Sequence, residues 1–259
     1  MSNACYAALL SDCVGGITKE HYFSRQILEQ IVVDSVSGPA MYGGMPWITQ
    51  KTPRPLSVSS LSAKVLCRKH NNDLSCYDSE MGKLFQVWTA YDRGITKDTA
   101  VSEVTEIDGP GIAMWMLKAA CGIVASRMTG RNDVRRKSNI VADEFVDVLF
   151  RKKPWPESWT LHLVQSEKIY INNGFTFTLV EDAETEEVLG ARICLSGLTL
   201  FLSFRCHVGD EGLHPKAITL QRADIEKTLV FRWPSSPNIH YRFTWSGTYD
   251  GTPPWPGLD

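Results

Sequence analysis

Long hydrophobic runs are missing from this chain. No apolar stretch reaches the roughly 18–20 residues needed to span a bilayer, so no membrane segment is expected. Charge of one sign is missing too: 27 Lys and Arg face 29 Asp and Glu, a formal net charge of −2. That balance excludes a uniformly basic nucleic-acid coat protein but not a local basic patch, because net charge averages over faces. The opening MSNACYAALLSDCVGG has no basic segment before a short apolar one, so no signal peptide is expected and the cytoplasm is the expected compartment. Neither a Walker-type phosphate loop nor a G-x-S-x-G elbow occurs, and no internal repeat or low-complexity tract is found. Aromatics at 10% and charged residues at 22% argue against wholesale disorder.

A sizeable core is within reach of 259 residues with 43% apolar content. Seven cysteines are present: Cys5, Cys13, Cys67, Cys76, Cys121, Cys194 and Cys206. The odd count and the lack of an export signal favour reduced thiols or a metal site over a disulfide framework. Residues 38–55, rich in Pro and Gly, read as a loop or short hairpin. Ser24–Val33 reads as a helix capped by Ser24, and Leu74–Asp92 as helical in its second half. Ile112, Trp115, Met116, Ala119, Ala120 and Ile123 recur at helical spacing after a start at Asp108, and 142–150 forms a second amphipathic helix. Beyond Pro156 the texture is β: 160–164, 168–171, 175–180, 188–195, 198–204, 228–233 and 240–246 are strand candidates, with turn signals at Asn173-Gly174 and Ser196-Gly197. The expected architecture is α+β: a small zinc-stabilised N-terminal domain over 1–92, a helical segment over 93–153, and an antiparallel β-rich C-terminal domain over 154–259.

Two segments carry the chemistry. Cys67-x-x-His70 has the spacing of half a tetrahedral zinc site at the start of a helix. Its other half would come from Cys5 and Cys13, the only upstream cysteines, which are separated by seven residues where such pairs usually have two. Glu20-His21 sets a carboxylate beside an imidazole. A carboxylate can hold a hard divalent cation while a neutral imidazole activates water, and Asn71 could add a further oxygen ligand. Buried or free thiols at Cys5, Cys13 and Cys67, with hydrogen-bonded surface imidazoles at His21 and His70, are the plainer alternative.

The order T-K-E-H (18–21), then L-C-x-x-H-N (66–71), then L-S-x-x-D (74–78) resembles the divergent bacterial branch of the HNH, or ββα-metal, endonucleases over residues 5–85. The resemblance implies a treble-clef fold with a structural Zn²⁺ on Cys5, Cys13, Cys67 and His70. It implies His21 as general base, and Glu20 and Asn71 holding a catalytic Mg²⁺ or Mn²⁺ on the scissile phosphate. Asn71 stands where the final His of the motif often lies, and the middle Asn has no counterpart. The implied activity is hydrolysis of phosphodiester bonds in nucleic acid, with DNA as substrate and bacterial defence as a common setting.

Arg68 and Lys69 lie inside the motif and, with Arg135 and Arg136 in the basic stretch Arg131–Lys137, are the candidate phosphate contacts; a solvated charge run is the alternative for that stretch. The rival function is a catalytically inactive zinc module that binds nucleic acid or a protein partner. A homo-oligomer is left open. Trp88, Trp115, Trp159, Met114 and Met116 read as core, Cys121, Cys194 and Cys206 as structural thiols, and His162, His207, His214 and His240 show no metal spacing.

Overall fold

The computed structural model describes residues 5–34, 41–42, 54–55, 57–94, 103–126, 139–163, 175–195, 198–205, 217–222, 225–233 and 240–244. Arg135, Arg136, Cys206, His207, His214, the candidate strand 168–171 and both turn signals lie outside them. The chain is a mixed α+β protein with a Cys/His cluster near its N-terminus.

Strand β1 (Ile17–His21) pairs antiparallel with β4 (Ser62–Cys67), and helix α2 (Arg68–Asp73) leaves directly from the end of β4. The register shifts between Thr18 and Lys19, leaving Val65 unopposed on β4; its carbonyl instead accepts the N–H of Tyr6 at 2.9 Å. A bulge of this kind frees a backbone group for a third segment, and here that segment carries Cys5. Between the paired strands lie α1 (Arg25–Asp34) and a two-residue antiparallel pair, β2 (Met41–Tyr42) with β3 (Arg54–Pro55). Ser24 precedes α1 as expected, but its hydroxyl does not cap the helix. It donates to Asp78 Oδ1 at 2.7 Å, because α1 is packed across α3 (Ser75–Gly94). That helix is helical from Ser75 onward, not in its second half alone.

The expectation of a helical middle is corrected by β5 (Glu103–Asp108), a strand that feeds without a break into α4 (Gly109–Ser126). In EVTEID, Val104, Glu106 and Asp108 alternate with Thr105 and Ile107, a period of two that a short window hides between helical patterns. Helix α4 reaches the length and mean hydropathy of a spanning segment, contrary to the expectation that no stretch would. Yet 83% of it is buried inside the protein, against α3, α5 (Asp143–Leu149), β4, β8, β9 and β11. Wrapped by other elements on all sides, a helix must be apolar on all sides.

Two four-stranded sheets complete the fold. One is antiparallel throughout, in the order β6 (Thr160–Leu163), β9 (Leu198–Ser203), β8 (Val188–Leu195), β7 (Phe175–Glu181). Leu198, Leu200 and Leu202 alternate into the core, as strand geometry requires. The β7–β8 turn is tied by Asp182, whose Oδ1 accepts the N–H groups of Glu184 and Thr185. The other sheet corrects the expectation of a purely antiparallel C-terminal region. Its order is β12 (His240–Thr244), β10 (Ala217–Arg222), β11 (Ile225–Arg232), β5; β10 and β11 are antiparallel, but β12 runs parallel to β10 and β5 parallel to β11. An edge strand drawn from more than a hundred residues upstream is free to enter in either direction.

Aromatic contacts join the layers. Trp159 meets Phe145 edge-on at 5.2 Å and Phe204 at 5.0 Å, fastening α5 to the antiparallel sheet. Phe177 meets Phe23 at 5.5 Å and Trp115 at 6.2 Å. Trp88, Trp115, Trp159, Met114, Met116 and Cys121 are buried as expected.

Candidate metal centre

Backbone hydrogen bonding explains why four distant ligand residues meet. Cys67 sits in extended conformation at the N-cap of α2, where the first N–H groups of a helix have no internal partner. The N–H of Arg68 donates to Gly16 O, and that of Lys69 to Val14 O, both at 3.1 Å. The loop carrying Cys13 is thereby sewn onto the helix start. Gly15 turns that loop with φ +79°, and an added Cβ would meet Arg68 Cβ at 3.0 Å. His70 follows one turn after Cys67, on the same side of α2, and is fully buried.

His70 Nδ1 lies 3.3 Å from Cys5 Sγ, 3.3 Å from Cys67 Sγ and 3.7 Å from Cys13 Sγ. All four donor atoms fall within 4.8 Å of one another. Tetrahedral zinc with bonds of about 2.3 Å to sulfur and about 2.0–2.1 Å to nitrogen needs donors roughly 3.5–3.8 Å apart; the three distances to His70 Nδ1 lie close to that, while the widest donor separation exceeds it. Three sulfurs and one imidazole are the soft-to-borderline donor set that zinc prefers. Four protein ligands would leave a tetrahedral ion no open position, which is the coordination of structural sites. The expected set Cys5, Cys13, Cys67 and His70 is thus brought together.

The ring's other nitrogen has its own partner. His70 Nε2 lies 2.8 Å from Asp12 Oδ1, so Nε2–H donates to the carboxylate and the Nδ1 lone pair faces the thiols. This is the arrangement that orients metal-bound imidazoles. Asp12 is held in turn by Lys69 Nζ at 3.0 Å, which also binds Asp73 at 2.9 Å. The Lys69 ammonium, and then His70, hold the Asp12 carboxyl below its ordinary range. Phe150, just after α5, packs edge-on against the His70 ring at 4.8 Å. Burial and the other thiols push Cys13 up to about 12. Desolvation would raise Cys67 also, but backbone N–H groups of His70 and Val14 outweigh it and lower the thiol. Three thiols this close resist losing their protons together, and a cation at their centre removes that repulsion.

The residues expected to hold a second, catalytic cation are differently engaged. Glu20 points into the core, its Oε1 2.5 Å from Lys118 Nζ. Lys118 also donates to Asp78 Oδ2 at 2.6 Å. Asn71 Nδ2 donates to Thr18 Oγ1 at 3.0 Å and Lys19 O at 3.2 Å, cross-linking α2 to β1. The cysteine–histidine cluster is the one convergent group of three or more His, Cys, Asp or Glu ligands among the described residues. Glu20 is thus occupied by an ammonium where a resident Mg²⁺ or Mn²⁺ was expected, and Asn71 is engaged through its amide nitrogen. His21, at the end of β1, is half-buried; burial first, then the cations of Arg25 and Lys118, keep its imidazole below its ordinary value. Of the expected phosphate contacts, Arg68 is exposed, whereas Lys69 is committed to its two carboxylates.

Comparison with family models, curated proteins and solved structures finds no match to this chain. Sequence reasoning missed two residues. Asp12 carries no signal beyond its place beside Cys13. Lys118 does carry one: it is the sole charge in the eighteen-residue helix α4.

Proposed function

We propose that the chain is a zinc-stabilised nuclease of HNH type, in which a treble-clef, ββα-metal unit built from the Cys13 loop, β1, β4 and α2 presents His21 to a phosphodiester bond of nucleic acid, with DNA as the expected substrate. The observation that carries this reading is the closed Cys₃His cluster. It clamps two antiparallel strands to a helix, in the chain order that the T-K-E-H and L-C-x-x-H-N motifs imply. A bound zinc would supply structural cross-linking there and no chemistry. The reacting group would be His21: an imidazole kept neutral accepts a proton from an attacking water. Arg68 is the exposed cation offered to the phosphate.

A second reading is an inactive zinc module that binds nucleic acid or a protein partner. The Lys118–Glu20 ion pair favours it, since it occupies the carboxylate that would hold a hydrolytic cation. Assays on plasmid, linear and single-stranded DNA and on RNA separate the two. The nuclease reading expects cleavage by the zinc-loaded protein and at least a hundredfold loss in His21→Ala, in line with the roughly 10²–10⁴ contribution of a general base, with folding and zinc content unchanged. Folded, zinc-loaded wild type that cleaves none of these substrates would leave the binding module.

A further inference from the structure

Lys118 is out of place by composition. Helix α4 holds no other charged residue between Gly109 and Ser126, and Lys118 is only 4% exposed. A lysine is rarely buried to this extent unless its ammonium is paired. Here it is paired twice, with Glu20 from β1 and Asp78 from α3, at 2.5 and 2.6 Å.

The two carboxylates are held ready for a cation between them. Asp78 Oδ1 accepts from Ser24 Oγ at 2.7 Å and from Trp115 Nε1 at 3.1 Å, and Trp115 Nε1 lies 2.8 Å from Ser24 Oγ. That locks the carboxylate with Oδ2 facing Lys118. Glu20 Oε1 makes its close ion pair without a well-directed hydrogen bond, so Nζ acts on it as a point charge, in the manner of an ion. The Tyr6 hydroxyl, also buried and without a hydrogen-bond partner, lies within electrostatic reach of Glu20 and Asp78. Oxygen-to-cation distances of about 2.0–2.6 Å are those of Mg²⁺ or Ca²⁺ with carboxylates, and the ammonium spans the pair at the upper end of that range.

We propose that Lys118 is the built-in cation of the Glu20–Asp78 pair, and that these carboxylates form a divalent-cation site only when the ammonium is removed. The binding claim stands by itself; its consequence for turnover rests on the nuclease reading, and is that hydrolysis by His21 needs no ion held by Glu20.

Mn²⁺ binding to the full, zinc-loaded chain, followed by electron paramagnetic resonance, tests it. Wild type and Glu20→Gln are expected to give the same binding curve, whereas Lys118→Met gains about one Mn²⁺ per chain, lost again in Lys118→Met/Asp78→Asn. A Mn²⁺ ion bound by wild type and lost in Glu20→Gln overturns the proposal, as does a folded Lys118→Met that gains none. If Lys118→Met unfolds, recovery of its thermal transition by Mn²⁺ supports the proposal, and no recovery overturns it. A separate assay of wild type in metal-free buffer, with zinc content verified, reads the consequence. Cleavage that needs added Mg²⁺ and is lost in Glu20→Gln overturns this proposal and leaves the nuclease reading standing. No cleavage at all, with the binding pattern as expected, removes the nuclease reading and leaves Lys118 as assigned.

Discussion

At the scale of single residues, neighbours in sequence part company in space. Glu20 and His21 are adjacent, and on a strand adjacent side chains leave by opposite faces. Glu20 goes inward to Lys118, and His21 stays half-buried at the strand end. Burial raises the Glu20 carboxyl, with Lys118 opposing the rise and Asp78 adding to it. His21 moves the other way, downward, through burial and then Arg25 and Lys118, with Asp78 and Glu29 opposing. The sign has two consequences. Because folding disfavours the imidazolium, the His21 contribution to stability is complete above the unfolded imidazole value of about 6.5 and is lost as pH falls through that value toward the folded one. On the proposed nuclease reading the neutral ring is the base, so the acidic limb of the pH–rate profile should lie below about 6.5. Initial rates across pH 4–8 check this; an acidic limb above that value would remove His21 as the titrating base.

At the scale of elements, close approach decides more than propensity. Gly190 lies within β8, where an added Cβ would stand 2.7 Å from Leu202 O and from the Phe201 ring. The backbone oxygen belongs to β9 and cannot rotate away, so Gly190→Ala must part the strands. A loss of about 1–3 kcal/mol is expected, read as a lower denaturant midpoint at constant slope. The strands β8 and β9 were legible from their Leu and Ile alternation. The direction of β5 and β12 was not, because a period of two reports which residues share a face and nothing about which strand lies alongside. Ser24 illustrates the same limit: its type and position marked a helix start, but its hydroxyl is taken by Asp78, a partner fifty-four residues away.

At the scale of the whole molecule, the Cys₃His cluster ties the N-terminal segment, the β1–β4 pair, α2 and, through the His70–Phe150 contact, the end of α5. Metal binding of this kind is folding free energy, since no preformed site survives unfolding. Chelation of zinc is expected to lower the thermal midpoint by on the order of 10–20 °C and to change the near-ultraviolet signal of the buried tryptophans. Asp12→Asn should release zinc with about 10–100-fold weaker affinity in a chelator competition, while the loaded protein keeps its fold. An unchanged midpoint after verified zinc removal would refute a structural role. The Cys67-x-x-His70 pair and the core tryptophans could be read from residue type and spacing, because soft donors and large apolar side chains have few alternative uses. Tertiary structure alone decided that Cys5 and Cys13 complete the site across an irregular spacing, since a bulge on β4 and the unpaired N–H groups of α2 position their loop. It alone decided that Glu20 faces an ammonium, because that depends on which side of β1 meets α4, a helix almost a hundred residues downstream.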